Sequence, residues 1–506
     1  MTACCTTSGL YFHGHLWNSG LMSAPVLPAV RAAELIGSTP GDGPAYQGVA
    51  DALRLLIADG RIAVGTRLPS ERDLTAALGL SRTTVSSAYA VLRERGYLTS
   101  RRGSGSVASL PAGVVRRDTG LHLSASVPEG SIDLTCAALR APAGMTQAAE
   151  AAIAASPDYL CGSGYLLNGV PELRAVVAAR YTERGLPTTA DEVIITTGAV
   201  VGTAIAARAL LSAGDTVIME TPTYPNIFPT LKQLRARIAA VPVEPTGWDI
   251  PTMTSTIRAS GAKAAFLLPD FHNPTGNLMS DGERATVAKA LARGRITAVV
   301  DETVAEMGLD HDGPMPLPFG AHHEDTISIG SASKSHWGGL RIGWIRASRP
   351  RLEELSAARV PLDIGAPVID QLVLLHLMRE NPGMTPERRR DLIASRDALV
   401  DALSTRLPEL TFVTPRGGLC LWLELPEAVA AHVTLAAEEE GLLFASGPRF
   451  AAAGGLERWI RLPYVLPPTD MVEAVERLAA AWAKVADGRA PRLRTRGTPS
   501  HGPLVA

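Results

Sequence analysis

From about Ser131 to Ala486, short apolar runs alternate with amphipathic stretches of helical period, and this alternation constrains the chain more than any other feature of its sequence. The runs include Glu192 to Thr196, Thr216 to Met219, Ala264 to Leu268, Thr297 to Val300 and Thr326 to Ile329. Strands separated by helices imply an α/β domain with a mostly parallel sheet. Ligands of such sheets bind at the carboxyl ends of the strands, so the residues that follow each run carry the chemistry.

That domain does not account for the whole chain. With 506 residues, the sequence exceeds one ordinary core, and roughly 150 residues per domain suggests two to four folding units. Residues 1–40 read as a disordered leader. Within it, Met1 to Ser23 is patternless, and Met22 is an alternative initiator. Residues 41–110 form a separate unit, 111–130 a linker, 131–486 the α/β body and 487–506 a flexible tail. Five unpaired-looking cysteines (4, 5, 136, 161 and 420) argue against a disulfide framework or a zinc site and fit a reducing cytoplasm. No signal peptide, no membrane span and no metal site are expected.

The first unit has its own pattern. Tyr46, Val49, Ala50, Leu53, Leu56 and Ile57 form a helical stripe closed by Gly60. Ser70, with Asp73 three residues on, resembles a capping box at the start of a second helix. Gly79 allows a tight turn, and Ser81 caps a third helix that turns Val85, Ala88, Tyr89 and Leu92 inward. Two short strands follow around Gly103-Ser104-Gly105. Helix, helix, turn, helix and a two-stranded wing make a winged helix-turn-helix, whose last helix lies in the DNA major groove. The whole chain has a net charge of −2 and no pull on DNA, but Tyr46 to Leu110 holds nine arginines against five acidic residues, a local net charge of +4.

The segment Tyr46 to Ser109 resembles the GntR family of bacterial repressors. The likeness rests on Gly65-Thr66-Arg67-Leu68-Pro69-Ser70-Glu71-Arg72-Asp73-Leu74, Leu78-Gly79-Leu80-Ser81-Arg82-Thr83-Thr84-Val85, Ala88 to Leu98 and Arg101 to Ser106. It implies contacts to double-stranded promoter DNA from Arg72, Arg82, Thr83 and Thr84 and from the wing at Arg102 and Gly103. Arginine can bond guanine O6 and N7 with two donors. Ser70 and Ser81 could serve only as caps, the arginines as a solvated face, and Arg72 as an ion-pair partner of Asp73 or Glu71.

In the α/β body, lysine is scarce. The chain has only Lys232, Lys263, Lys289, Lys334 and Lys484, and every other basic residue is arginine. Lys334 stands in Ser331-Ala332-Ser333-Lys334, ahead of Gly338-Gly339-Leu340-Arg341. A neighbouring cation and partial burial lower a lysine's pKa and make it a nucleophile, and Arg341 can supply that field while gripping a phosphate. Ser331 and Ser333 add neutral donors. Gly198, Ala199 and Val200, between a strand and a helix, form a phosphate cup. His272-Asn273-Pro274-Thr275-Gly276 and Val299-Val300-Asp301-Glu302 follow two other strands, and Pro222-Thr223-Tyr224-Pro225 offers an aromatic face.

In this order the motifs resemble the aminotransferases of pyridoxal-phosphate fold type I, from about Tyr165 to Tyr464. The resemblance implies pyridoxal 5'-phosphate as cofactor, Lys334 as its Schiff-base lysine, Asp301 on the pyridine nitrogen and Asn273 on the phenolic oxygen. It further implies Tyr224 stacked on the ring and Ser331, Ser333 and Arg341 on the phosphate. Tyr165 would reach the phosphate of a neighbouring subunit, and Arg461 would hold a substrate carboxylate. Pro415-Arg416-Gly417-Gly418 matches the entry to a small C-terminal subdomain. Taken singly, Asn-Pro-Thr-Gly is a turn, Asp301 could cap a helix, Arg461 could be a buried ion pair and Tyr224 core. One departure stands out: the family places a tyrosine two or three residues after the aspartate, and this chain has Thr303 and Val304. That puts efficient transamination in doubt, though not cofactor binding.

The order of the two units resembles the MocR subfamily of GntR regulators. The resemblance implies a head-to-tail homodimer whose large domain senses a small amino compound or the cofactor itself. An active aminotransferase with an appended DNA-binding domain is the alternative, and a sensor of the cofactor alone is a second.

Overall fold

The computed structural model describes residues 27–37, 44–58, 62, 67–101, 105–109, 130–310, 314–452 and 454–488. Contacts divide the chain between Val115 and Arg116 into two compact units. Arg102 and Gly103, the linker as far as residue 129, and the tail from 489 lie outside the described residues, as does the leader as far as residue 26.

In the first unit, residues 29–36 of the expected leader form a helix, α1 (Ala29–Ile36). Ala32 and Ile36, four residues apart on one face, are buried, and α1 packs on α3. The unit continues with α2 (Ala45–Ala58), α3 (Glu71–Leu78), α4 (Arg82–Glu94) and the hairpin of β1 (Leu98–Arg101) and β2 (Gly105–Ala108). Ser70 accepts the Asp73 amide (3.1 Å) and gives its hydroxyl to the Asp73 carboxylate (2.7 Å), so the cap lies entirely within the Ser70–Asp73 pair. Gly79 takes the left-handed conformation (φ 65°) that turns α3 into α4. Ser81 accepts the Thr84 amide (3.1 Å) and starts α4. The core gathers Leu53, Leu74, Val85, Tyr89 and Leu92, and the buried Tyr89 hydroxyl donates to the Pro69 carbonyl (2.9 Å).

The second unit opens with β3 (Ile132–Asp133), α5 (Met145–Ala155), α6 (Pro157–Leu160) and α7 (Pro171–Glu183). An eight-stranded sheet follows, made of β4 (Val193–Thr196), β5 (Thr216–Thr221), β6 (Arg237–Glu244), β7 (Gly247–Trp248), β8 (Ala264–Leu267), β9 (Thr297–Asp301), β10 (Thr326–Ser331) and β11 (Gly343–Arg346). Its spatial order is β4-β11-β10-β9-β8-β5-β6-β7. The run from β10 through β9, β8 and β5 to β6 is parallel. β11 lies antiparallel between β10 and β4, so β4 points the same way as the parallel set. The carboxyl ends of β4, β5, β8, β9 and β10 therefore share one edge. Helix α8 (Ala199–Leu210) starts just after β4 at that edge.

The small subdomain is a four-stranded sheet of β12 (Thr411–Phe412), β13 (Cys420–Glu424), β15 (Ala445–Ser446) and β16 (Trp459–Pro463), covered by helices Pro386–Arg406, Ala430–Glu439 and Pro468–Ala486. The strand β14 (Leu442–Leu443) pairs in parallel with β3 and ties the start of the unit to this subdomain. No helix among the described residues is long and apolar enough to cross a membrane.

A fragment spanning residues 27–110 is expected to unfold cooperatively on its own. Tyr89→Phe should lower its unfolding free energy by about 1 kcal/mol in urea titrations, because the Pro69 carbonyl loses its buried donor.

Candidate functional site

Each loop at the shared sheet edge delivers one of the side chains singled out in the sequence. After β10 the chain enters a π-type turn, Ser333–Trp337, that carries Lys334. The lysine Nζ donates to the Ala137 carbonyl (2.8 Å). Burial is the main cause lowering its pKa, and the cation that adds to the effect is Arg461 rather than the expected Arg341; Cys136, Cys420 and Asp301 oppose it. Asp301 ends β9 and accepts the Thr303 amide (2.9 Å) and hydroxyl (2.6 Å) on Oδ1. Burial raises its pKa, while those two hydrogen bonds favour the charged form. Thr303 thus spends its hydroxyl on the aspartate, and Val304 is buried in the small-subdomain core, so neither position supplies a phenol's function.

Asp301 lines a cleft of about 530 Å³ together with Ala199, Val200 and Tyr224. The Tyr224 hydroxyl accepts from Asn226 (2.5 Å), and its pKa is pushed up to about 12, first by burial and then by Asp301. Asn273 follows β8 and precedes a cis proline; its Oδ1 accepts from Arg461 Nη1 (3.4 Å). Arg461 lies on β16 and is fully buried. Its Nη2 donates to the Thr135 carbonyl (2.6 Å), and its guanidinium carbon lies 5.2 Å from the Phe450 ring centre. Its Nε is buried with no partner.

Just before Ala199 and Val200, which line the cleft, Gly198 (φ 97°) opens α8. A Cβ there would lie 2.5 Å from Arg341 Nη2, so only glycine lets the guanidinium approach the helix N-terminus. Arg341 itself has φ 53°, and its Nη2 donates to the Thr197 carbonyl (3.3 Å). Ser331 donates to Ser333 Oγ (3.0 Å) and accepts the Ser333 amide (3.1 Å). Helix N-terminal amides, a guanidinium and two hydroxyls are a phosphate-binding set. With Asp301 lining the same cleft as Ala199 and Val200, and a buried Arg461 Nε that lacks a partner, the residues fit pyridoxal 5'-phosphate and a carboxylate-bearing ligand. Tyr165 is apart from this group and 70% exposed.

Sequence reasoning missed Thr135 and Ala137, which act through main-chain carbonyls that no side-chain motif reveals. It also missed Phe450, whose ring faces Arg461.

In the first unit, Arg82 and Thr83 are exposed at the start of α4, while Thr84 is half-buried with its hydroxyl 2.7 Å from Ser81 Oγ. Arg72 is exposed on α3, and Glu71 faces Arg93 (3.8 Å).

Residues 143–478 match the family described as aminotransferase class I and II. The chain belongs to this family. Residues 45–107 match the bacterial regulatory proteins of the gntR family, so a GntR-type helix-turn-helix precedes the aminotransferase-class body. An uncharacterized HTH-type transcriptional regulator of Escherichia coli, YdcR, is 27% identical over 82% of this chain and 94% of its own length. The 2-aminoadipate transaminase of Thermus thermophilus is 28% identical over 62% of this chain and 80% of its own. The crystal structure of the α-aminoadipate aminotransferase LysN from the same organism, complexed with N-(5'-phosphopyridoxyl)-L-leucine, superposes with a TM-score of 0.65 at 26% identity, over 71% of this chain and 94% of that one. The aminotransferase class I and II family depends on pyridoxal 5'-phosphate.

Protein purified with the cofactor is expected to be yellow and to trap it covalently on borohydride reduction. Lys334→Ala should abolish the trapping, as read by peptide mass spectrometry. Trapping on another lysine in that variant would overturn the assignment.

Proposed function

We propose that the protein is a DNA-binding transcriptional regulator whose aminotransferase-class body holds pyridoxal 5'-phosphate through Lys334 and responds to a small amino compound. The observation that carries the proposal is the combination, on one chain, of a capped recognition helix with exposed Arg82 and a cofactor cleft in which Thr303 and Val304 replace the usual phenol. The first keeps the DNA-reading surface intact, and the second removes a group that efficient transamination uses.

When bound, the cofactor supplies an aldehyde that takes up primary amines and a ring that draws electrons from the attached carbon. The chain's residues orient it. Asp301, its Oδ1 engaged by Thr303, would hold a proton on the ring nitrogen with its other oxygen. Tyr224, which lines the same cleft as Asp301, would stack on the ring. Asn273 accepts from Arg461 on Oδ1, which leaves Nδ2 to donate to the phenolic oxygen. Gly198, Ala199, Val200, Ser331, Ser333 and Arg341 cradle the phosphate. Arg461 takes the ligand carboxylate along its Nε edge.

The protein would form a homodimer of head-to-tail type that carries Tyr165, 70% exposed in one chain, to the neighbouring site. Arg72, Arg82, Thr83, Thr84, Arg102 and Gly103 would contact promoter DNA, in the cytoplasm. The full set of cofactor residues and the likeness to transaminases favour a second reading, an active aminotransferase. Turnover across an amino-acid panel without specific promoter binding would establish it and overturn the regulator.

Arg82→Ala should weaken specific promoter binding by about 1–3 kcal/mol and relax preference at one base pair per half-site. Arg102→Ala should reduce the salt slope of binding by about one, through a lost phosphate contact. Electrophoretic mobility and salt titrations read both, and unchanged affinity in both variants would overturn the docking mode. Arg461→Ala should keep basal promoter binding but weaken the amino ligand by about 1.5–3 kcal/mol, the worth of a charge-assisted hydrogen bond. A ligand-dependent shift in DNA affinity that survives this change would overturn the role of Arg461.

A further inference from the structure

The stretch 130–140 crosses the site as a strap. It directly follows the segment that leads from the DNA-binding unit. Its N-terminal part is fixed to the small subdomain: the Ile132 amide donates to Gly441 (2.8 Å) and the Leu134 amide to Leu443 (2.7 Å). Its far end is held by Arg388, which donates to the Arg140 carbonyl and, through Nη1, to the Ser335 (3.0 Å) and His336 (2.8 Å) carbonyls in the turn that carries Lys334. Between these anchors, two main-chain carbonyls face Arg461 and Lys334. Thr135 accepts from Arg461 (2.6 Å) and Ala137 from Lys334 (2.8 Å). The half-buried Cys136 lies between them.

We infer that the strap reads the covalent state of Lys334: the Ala137 carbonyl clasps Nζ when that nitrogen is a free amine and releases it when the nitrogen is bonded to the cofactor. This rests on the assignment of Lys334 as the attachment lysine. A lysine nitrogen bonded to the cofactor's aldehyde carbon has at most one proton left, and the neighbouring phenolic oxygen competes for it. Ala137 is 3% exposed, so its carbonyl then loses its donor inside the protein, a costly condition that movement of the strap relieves. An incoming primary amine reverses the change. Its nitrogen bonds to the aldehyde carbon, the carbon–Nζ bond breaks, and two protons pass from the incoming nitrogen to Nζ, which is again an amine within reach of Ala137. The Thr135 bond need not break, because it uses one of the five N–H groups of Arg461 and leaves Nε for a carboxylate. Ligand uptake therefore closes the strap and resting attachment opens it, next to the segment leading to the DNA-binding unit.

Cys136 is a built-in reporter. Its alkylation by N-ethylmaleimide, followed by peptide mass spectrometry, should be compared in full-length protein in four forms: cofactor-free, cofactor-loaded, loaded and treated with hydroxylamine, and loaded and reduced with borohydride. Hydroxylamine frees Nζ and adds almost no bulk, whereas reduction fixes Nζ to the cofactor. Alkylation should be at least fivefold faster in the loaded and reduced forms than in the hydroxylamine-treated and cofactor-free forms. Hydrogen exchange of the 130–140 peptide should follow the same order, and Lys334→Met should react fast with or without cofactor. Equal Cys136 rates in the hydroxylamine-treated and reduced forms, including no reaction in either, would overturn the clasp. Absorbance distinguishes the two failures: a spectral response to hydroxylamine with unchanged Cys136 leaves the cofactor assignment standing, and no attached cofactor overturns both.

Discussion

The buried guanidinium of Arg461 sets the terms for the rest of the site. A charge with no exposed surface must be met by polar groups, and here it draws the Thr135 carbonyl, the Asn273 side chain and the Phe450 ring around it. Those contacts come from the strap, the β8 loop and the small subdomain, so one side chain ties the small subdomain to the edge of the large sheet. The arrangement still leaves Nε unpaired, an unfavourable condition unless an anion completes it. The same cation stands near Lys334 and adds to the burial that lowers its pKa, so the group that would grip a ligand's carboxylate also acts on the group that would meet its nitrogen.

Around that point the sheet topology does the positioning. Strands β4, β5, β8, β9 and β10 end at one edge, and five loops separated widely in sequence deliver Gly198, Tyr224, Asn273, Asp301 and Lys334 to it. Gly343 shows how tight the fit is, since a Cβ there would lie 2.8 Å from the Gly198 backbone, and β11 can pass behind the phosphate cup only without a side chain. The DNA-binding unit is built on different principles. Its helices are short, its caps are local, and its recognition surface follows from which residues stand at the start of α4.

The departure at Thr303 and Val304 links the two halves of the argument. Thr303 uses both its amide and its hydroxyl to hold Asp301, which stabilises the carboxylate needed beneath a pyridine nitrogen. Val304 packs into the small-subdomain core. The site keeps the groups that would bind and orient the cofactor and has no phenol at these two positions, the pattern on which the proposed sensing role rests.

The sequence by itself determined the local parts. Ser81, Gly79 and the helical spacing of Val85, Ala88, Tyr89 and Leu92 specify the recognition helix because caps, turns and amphipathic faces depend on residues a few positions apart. Lys334, Asp301 and Asn273 stood out for a related reason, each being a rare or chemically specific residue soon after a strand, and the structure brings all three to one sheet edge. Tertiary structure alone decided the rest. Helix α1 exists because Ala32 and Ile36 find a surface to bury against, although its own stretch is short and shows little pattern. Arg461, 127 positions from Lys334 in the chain, became its neighbouring cation where Arg341, seven positions away, did not, because sheet topology outweighs separation along the chain. The carbonyls of Thr135 and Ala137 could not be read in advance, since every residue carries one and only folding decides which face a buried cation.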